Sequence, residues 1–191
     1  MVGFKSKGLQ NIVLCPGSRS GPLALAAGSL AKNDKITLST CIDERSAAFF
    51  ALGISTVTGK ATLVITTSGS AVANLLPAAI EADRSAHPIL FLTADRPNRL
   101  KNCGSNQTVN QEEFLRPACR SFEHGPGEGI HLLTEKSLEG LINNCWDKAH
   151  IFPGPVHLNL PFEEPLHASL SEQNETFNIS LISVLKFELL S

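Results

Sequence analysis

Short apolar runs alternate along this chain with longer stretches whose apolar positions recur every three or four residues. Five runs are too short for helices: 11–15 (NIVLC), 35–41 (KITLSTC), 61–67 (ATLVITT), 88–94 (PILFLTA) and 155–161 (PVHLNLP). Their apolar and β-branched residues predict buried strands. Between them, 21–33 (GPLALAAGSLAKN) predicts a helix with Pro22 near its start, where a missing N–H costs least. The stretch 43–60 (DERSAAFFALGISTVTGK) predicts another, with Asp43 as cap and Gly59 as stop. In 68–83 (SGSAVANLLPAAIEAD), Ser68 or Ser70 is the expected N-cap, and Pro77 should kink or break the helix. In 134–150 (TEKSLEGLINNCWDKAH), Leu138, Leu141, Ile142, Cys145 and Trp146 share one face.

Strands alternating with helices predict an α/β fold: a doubly wound, mainly parallel sheet of about six strands with helices on both faces. Ligands of such sheets bind outside the carboxyl ends of the strands. The chain places Gly17 to Ser20, Asp43 with Glu44, Ser68 to Ser70, and Asp95 with Arg96 at those ends. The polar stretch 95–111 reads as a long loop, of the kind that carries function. Residues 1–168 read as one domain. In 169–191, SLSEQNETFN is linker-like and ISLISVLKFELL apolar, so this tail reads as a linker or the truncated start of a further domain.

Composition narrows the function classes. The chain has 191 residues, 42% hydrophobic and 18% charged, enough for a packed core. A net charge of −2 without a basic stripe argues against a nucleic-acid partner. No apolar run reaches the roughly 20 residues of a membrane helix. The first residues lack the pattern of a secretory signal, which makes the cytoplasm the expected compartment, or the plastid stroma in a eukaryote. Cys15, Cys41, Cys103, Cys119 and Cys145 form no CxxC pair, so reduced and mostly buried thiols are expected rather than disulfides or zinc. The six histidines show no metal spacing.

At the first junction, CPGSRSGP can be a plain βα turn with a solvated arginine. It can equally be an anion site, with backbone N–H groups at a helix start and Arg19 making a two-pronged contact. It is neither a P-loop nor G-x-G-x-x-G. Arg96, Arg99, Asn106 and Gln107 are loop groups able to hold a small acid, or simply solvated. Arg19 and Arg96 at two strand ends favour a multiply charged acid. Glu44 complements a helix dipole on composition alone.

In order, CPGSRSGPLALAA, DERSAAFFALGIS, TTSGSAVANLLPAAIEA, LTADRP and CGSNQ resemble a known family. It is the N-terminal pyrimidine-binding domain of the 2-succinyl-5-enolpyruvyl-6-hydroxy-3-cyclohexene-1-carboxylate synthases, which are thiamine-diphosphate-dependent carboligases of menaquinone and phylloquinone formation. The resemblance covers about Gly8 to Leu166. It implies that Glu44 is catalytic and bonds the cofactor's aminopyrimidine ring, and that Thr67 and Ser68 lie at the cofactor. Phe49 and Phe50 are then expected to supply an apolar wall near Glu44. Ser18, Arg19, Arg96 and Gln107 would hold the carboxylates and hydroxyls of 2-oxoglutarate and isochorismate.

The resemblance also implies Mg2+ and diphosphate ligands on a C-terminal domain, contributed by another copy in a homodimer or homotetramer. Their Gly-Asp-Gly motif does not occur in this chain, which therefore reads as a half-site, inactive alone. The alternatives are another thiamine-diphosphate carboligase or decarboxylase, or a non-catalytic subunit that binds a small acid or regulates a larger partner.

Overall fold

The computed structural model describes residues 1–32, 36–101, 103, 104, 106, 108–175 and 178. In chain order the elements are α1 (Val2–Ser6), β1 (Asn11–Leu14), α2 (Gly21–Lys32), β2 (Thr37–Thr40), α3 (Glu44–Thr58) and β3 (Thr62–Thr66). Then come α4 (Ser70–Ala73), α5 (Leu76–Arg84), β4 (Ile89–Asp95), β5 (Ser121–His124), α6 (Glu135–His150) and β6 (Pro155–Pro161). The six strands form one sheet in the order β2-β1-β3-β4-β6-β5, and every pairing is parallel.

The period-2 alternation of each strand divides its side chains between two cores. Ile12, Leu63, Ile65, Leu90 and Leu92 face a core closed by Phe4 of α1, Leu23, Ala27 and Leu30 of α2, and Ile142 and Trp146 of α6. Val13, Val64, Ile89 and Phe91 face the opposite core, closed by Ala47, Ala48 and Ala51 of α3 and by Val72, Leu75, Ala78 and Ala79 of α4 and α5. Alanines on α3 and α5 let both helices approach the sheet closely. Buried Ser55 pins α3 to the start of β4 by donating to the Pro88 carbonyl at 2.6 Å.

The helix signals act where expected. Asp43 accepts from the Ser46 N–H at 2.7 Å, and Gly59 ends α3 in the left-handed conformation at φ 66°. Pro77 falls in the first turn of α5, so the predicted helix divides into α4 and α5 rather than bending. Two short elements were not expected. α1 is only five residues, and β5 is a half-buried edge strand of four residues paired with β6 alone. The long loop is broken by single 3-10 turns at Asn98–Leu100 and Gln111–Glu113. Among the described residues no helix is long and apolar enough to cross a membrane. The apolar end of the tail, 179–190, lies outside the described residues.

From β1 the chain moves outward to β2, then returns past β1 to β3. This reversal opens a crevice between the carboxyl ends of β1 and β3, where open α/β sheets bind ligands.

Candidate active site at the β1 and β3 junctions

Both walls of that crevice are glycine-bearing turns. After β1 the chain passes through Cys15 to Ser20, and the Ser20 hydroxyl closes the turn on the Gly17 carbonyl at 3.0 Å. Gly17 lies flat against Thr67, the first residue after β3. A Cβ on Gly17 would stand 2.4 Å from the Thr67 Cβ, so only glycine fits. Ser18 is exposed at the rim, and Thr67 is half-buried beside it.

Arg19 is 7% exposed. Its guanidinium donates to the Phe162 carbonyl at 3.0 Å and to Glu164 Oε1 at 3.2 Å, both from the segment after β6. Its Nε is buried without a partner among the described residues. Arg96 follows β4 and donates to the Ser68 hydroxyl at 2.5 Å. Burial lowers the Arg96 pKa, and the positive charge of Arg19 lowers it further. The two arginines are therefore neighbours across the crevice, although β3 separates their strands. Two guanidiniums at adjoining junctions, one already paired with Glu164 and keeping a buried N–H without a partner among the described residues, favour an anion there.

Glu44 opens α3 beside this pocket. It is half-buried, and no described residue donates to its carboxylate. Its charge reaches back to β1: burial first, then Glu44, pushes the Cys15 thiol up to about 12. The two residues expected in the apolar wall are not buried here. Phe49 and Phe50 are 42% and 51% exposed and point outward from α3, because the inward face is taken by Ala47, Ala48 and Ala51.

The remaining expected residues divide. The predicted serine cap at the β3 junction is not formed. Gly69 occupies the N-cap position of α4 with φ 85°, and Ser68 is buried on Arg96. Thr67 is half-buried and Ser70 exposed at the same junction. Arg99 turns away to pair with Glu163, and Asn106 is exposed. Gln107 lies outside the described residues. None of the five thiols is in a disulfide: Cys15 and Cys145 are buried, Cys41 and Cys119 half-buried and Cys103 exposed.

Several polar residues not expected from the sequence lie directly beneath the crevice. Gln111 is fully buried and accepts from the Gly69 N–H at 2.9 Å. Its amide nitrogen donates to the Ala94 carbonyl at 3.1 Å and to Asn159 Oδ1 at 2.8 Å. Asn159 donates to Asp95 Oδ2 at 2.8 Å, and Asp95 Oδ1 accepts the Arg96 N–H at 2.7 Å. Lys101 forms ion pairs with Asp95, at 2.9 Å, and with Glu112. Asp95, Glu112 and His124 have the spacing of a metal cluster, and the Lys101 ammonium already sits on two of them. Polar His157 and Asn159 inside the apolar run PVHLNLP are the one sequence sign of this network.

The model of the thiamine pyrophosphate enzyme family, N-terminal TPP binding domain, matches residues 4–114. The chain belongs to this family. The thiamine pyrophosphate enzyme domain here also matches proteins named 2-succinyl-5-enolpyruvyl-6-hydroxy-3-cyclohexene-1-carboxylate synthase. One, from Prochlorococcus marinus strain SARG, is 62% identical over 178 residues, covering 93% of this chain and 31% of the relative. One from strain MIT 9313 of the same species is 66% identical over 166 residues, covering 87% and 28%. One from Synechococcus sp. strain WH7803 is 65% identical over 170 residues, covering 89% and 29%. The chain thus spans a little under a third of these relatives' length.

As a fit to the family's cofactor, the site offers a half-buried carboxylate without a donor among the described residues, a glycine-floored crevice and the half-buried Thr67. These suit a flat, nitrogen-bearing ring.

Proposed function

We propose that this chain is the pyrimidine-binding part of a carboligase that decarboxylates 2-oxoglutarate and adds the resulting succinyl unit to isochorismate. The product is 2-succinyl-5-enolpyruvyl-6-hydroxy-3-cyclohexene-1-carboxylate, in menaquinone or phylloquinone formation. The observation that carries the reading is that Arg19 and Arg96 stand at the carboxyl ends of β1 and β4, on either side of the turn after β3, with Arg19 buried and Arg96 bonded to Ser68. Both acids carry two carboxylates, and two forked guanidiniums suit them. The names of the similar proteins give the same product.

When bound, thiamine diphosphate supplies a nucleophilic thiazolium carbon and takes up the electrons left by departing carbon dioxide. Glu44, Thr67 and Ser68 are the residues of this chain at the ring. Glu44 holds a proton between its carboxylate and a ring nitrogen. Arg19, Arg96, Ser18 and Gln107 orient the acids.

The diphosphate and Mg2+ are held by a C-terminal domain of another copy. Support comes from the share of the relatives that this chain spans and from the apolar residues exposed along α3. The cytoplasm is the expected compartment.

The test is Glu44→Gln in the full-length enzyme, read as deuterium exchange at the thiamine diphosphate C2 by NMR. Loss of a positioned acid–base group should slow exchange by about 100-fold or more. Exchange at the wild-type rate removes Glu44 from this role. Wild-type turnover of pyruvate rather than 2-oxoglutarate with isochorismate would point to a different carboligase.

A further inference from the structure

The buried network beneath the crevice has a single consistent direction. Asp95 is paired with the Lys101 ammonium and offers only acceptors, so Asn159 must turn its amide nitrogen toward it. Asn159 Oδ1 then faces inward, where it receives the Gln111 amide nitrogen and the Thr93 hydroxyl at 2.7 Å. Gln111 is thereby forced to turn its oxygen to the Gly69 N–H. Thr93, having given its proton to Asn159, accepts from His157 Nε2 at 2.8 Å. That leaves His157 Nδ1 as a bare lone pair, and it has no partner among the described residues. Every orientation follows from the charge on Asp95.

Gln111 is the only described side chain here bonded to both junctions through their backbones. Its oxygen holds the backbone that starts the turn of Ser68 and Gly69 after β3. Its nitrogen holds the Ala94 carbonyl, one residue before Asp95 and two before Arg96. The same two ends are joined above by the Arg96 bond to Ser68. We propose that Gln111 is a positioning residue that couples the cofactor junction after β3 to the acid-binding arginine after β4, so that the two halves of the site are set together. The coupling rests on the function proposed above for its readouts.

Gln111→Glu and Gln111→Met in the full-length enzyme test it. A protonated glutamic acid can accept from Gly69 and donate to Asn159. The ionised form faces two acceptors, Ala94 O and Asn159 Oδ1, and breaks the network. Thiamine diphosphate Kd, titrated with Mg2+ present, and 2-oxoglutarate KM are measured from pH 6 to 8.5 as ratios to wild type. For Gln111→Glu, both ratios should lie near one at pH 6 and rise together to about tenfold by pH 8.5. For Gln111→Met, both should be raised about tenfold at every pH.

A change in only one ligand's ratio, ratios near one throughout with only the melting temperature altered, or a Gln111→Glu protein unfolded even at pH 6 would each overturn the role. The last follows because the protonated side chain keeps the bonds to Gly69 and Asn159 and gives up only the one to the Ala94 carbonyl. A wild-type enzyme inert toward 2-oxoglutarate overturns the proposed function instead. Wild-type turnover with unchanged variants overturns only Gln111.

Discussion

Single residues at this site are constrained by what lies within a few ångströms of them. Gly17 is the clearest case, because any side chain there collides with the Thr67 Cβ. Gly17→Ala should destabilise the fold by about 1–3 kcal/mol through overpacking. It should also weaken thiamine diphosphate binding, since Thr67 is the side chain displaced. Thermal unfolding and cofactor titration of the same variant check both effects. His157 carries a different prediction. Burial lowers its pKa to about 3, with the nearby Asp95 carboxylate only partly opposing this. Between that value and the ordinary histidine value near 6.5, the unfolded chain holds a proton that the folded chain does not. Stability therefore falls as pH drops through this window, by up to about 1.4 kcal/mol per pH unit. Urea midpoints at pH 7 and pH 5 should show the loss, and His157→Gln should flatten it. An imidazole signal that titrates near pH 6.5 would contradict the neutral assignment.

Helix α3 shows how local rules produce an element and then how much of it they disclose. Its start is the Asp43 cap and its end is Gly59 at φ 66°, where a Cβ would meet nothing within 4 Å. With no steric neighbour involved, Gly59→Ala should cost only the backbone penalty of the left-handed conformation, about 1–2 kcal/mol in denaturant unfolding. Both ends were legible because caps are written in adjacent residues. So were five of the six strands, whose apolar runs are long enough to stand out. β5 was not legible: Ser121 to His124 is short, half-polar and held by one neighbour, so its pairing with β6 is a long-range fact. The candidate site divides in the same way. Glu44, Arg19 and Arg96 lie in junction motifs. Gln111 and Asn159 reach the site through contacts 42 and 48 residues away in the chain, which no local pattern encodes. The side of α3 that Phe49 and Phe50 take was not legible, because composition does not tell which side of a helix meets the sheet.

At the scale of the whole molecule, those two phenylalanines belong to an exposed apolar face. Phe49, Phe50 and Val57 are exposed at 42%, 51% and 88% along one outward face of α3 that includes Gly53, and Ile42, exposed at 86%, lies just before the helix. Contiguous apolar surface of this kind marks a protein contact. Glu44 heads the same helix, so a partner seated on this face would also complete the wall around the carboxylate. The half-site reading therefore ties assembly to chemistry through one element. Phe50→Lys in the full-length enzyme should shift its mass toward the monomer in sedimentation analysis, since a buried unpaired charge is costly. It should also weaken thiamine diphosphate binding in parallel, although residue 50 need not touch the cofactor. Gly53→Leu should act in the same direction by blocking close approach, without adding charge. If both variants keep the wild-type mass and cofactor affinity, the α3 face does not dock the partner, and the wall beside Glu44 must come from elsewhere. If mass falls while affinity holds, α3 is an interface but the site is complete within one copy, and the half-site reading fails.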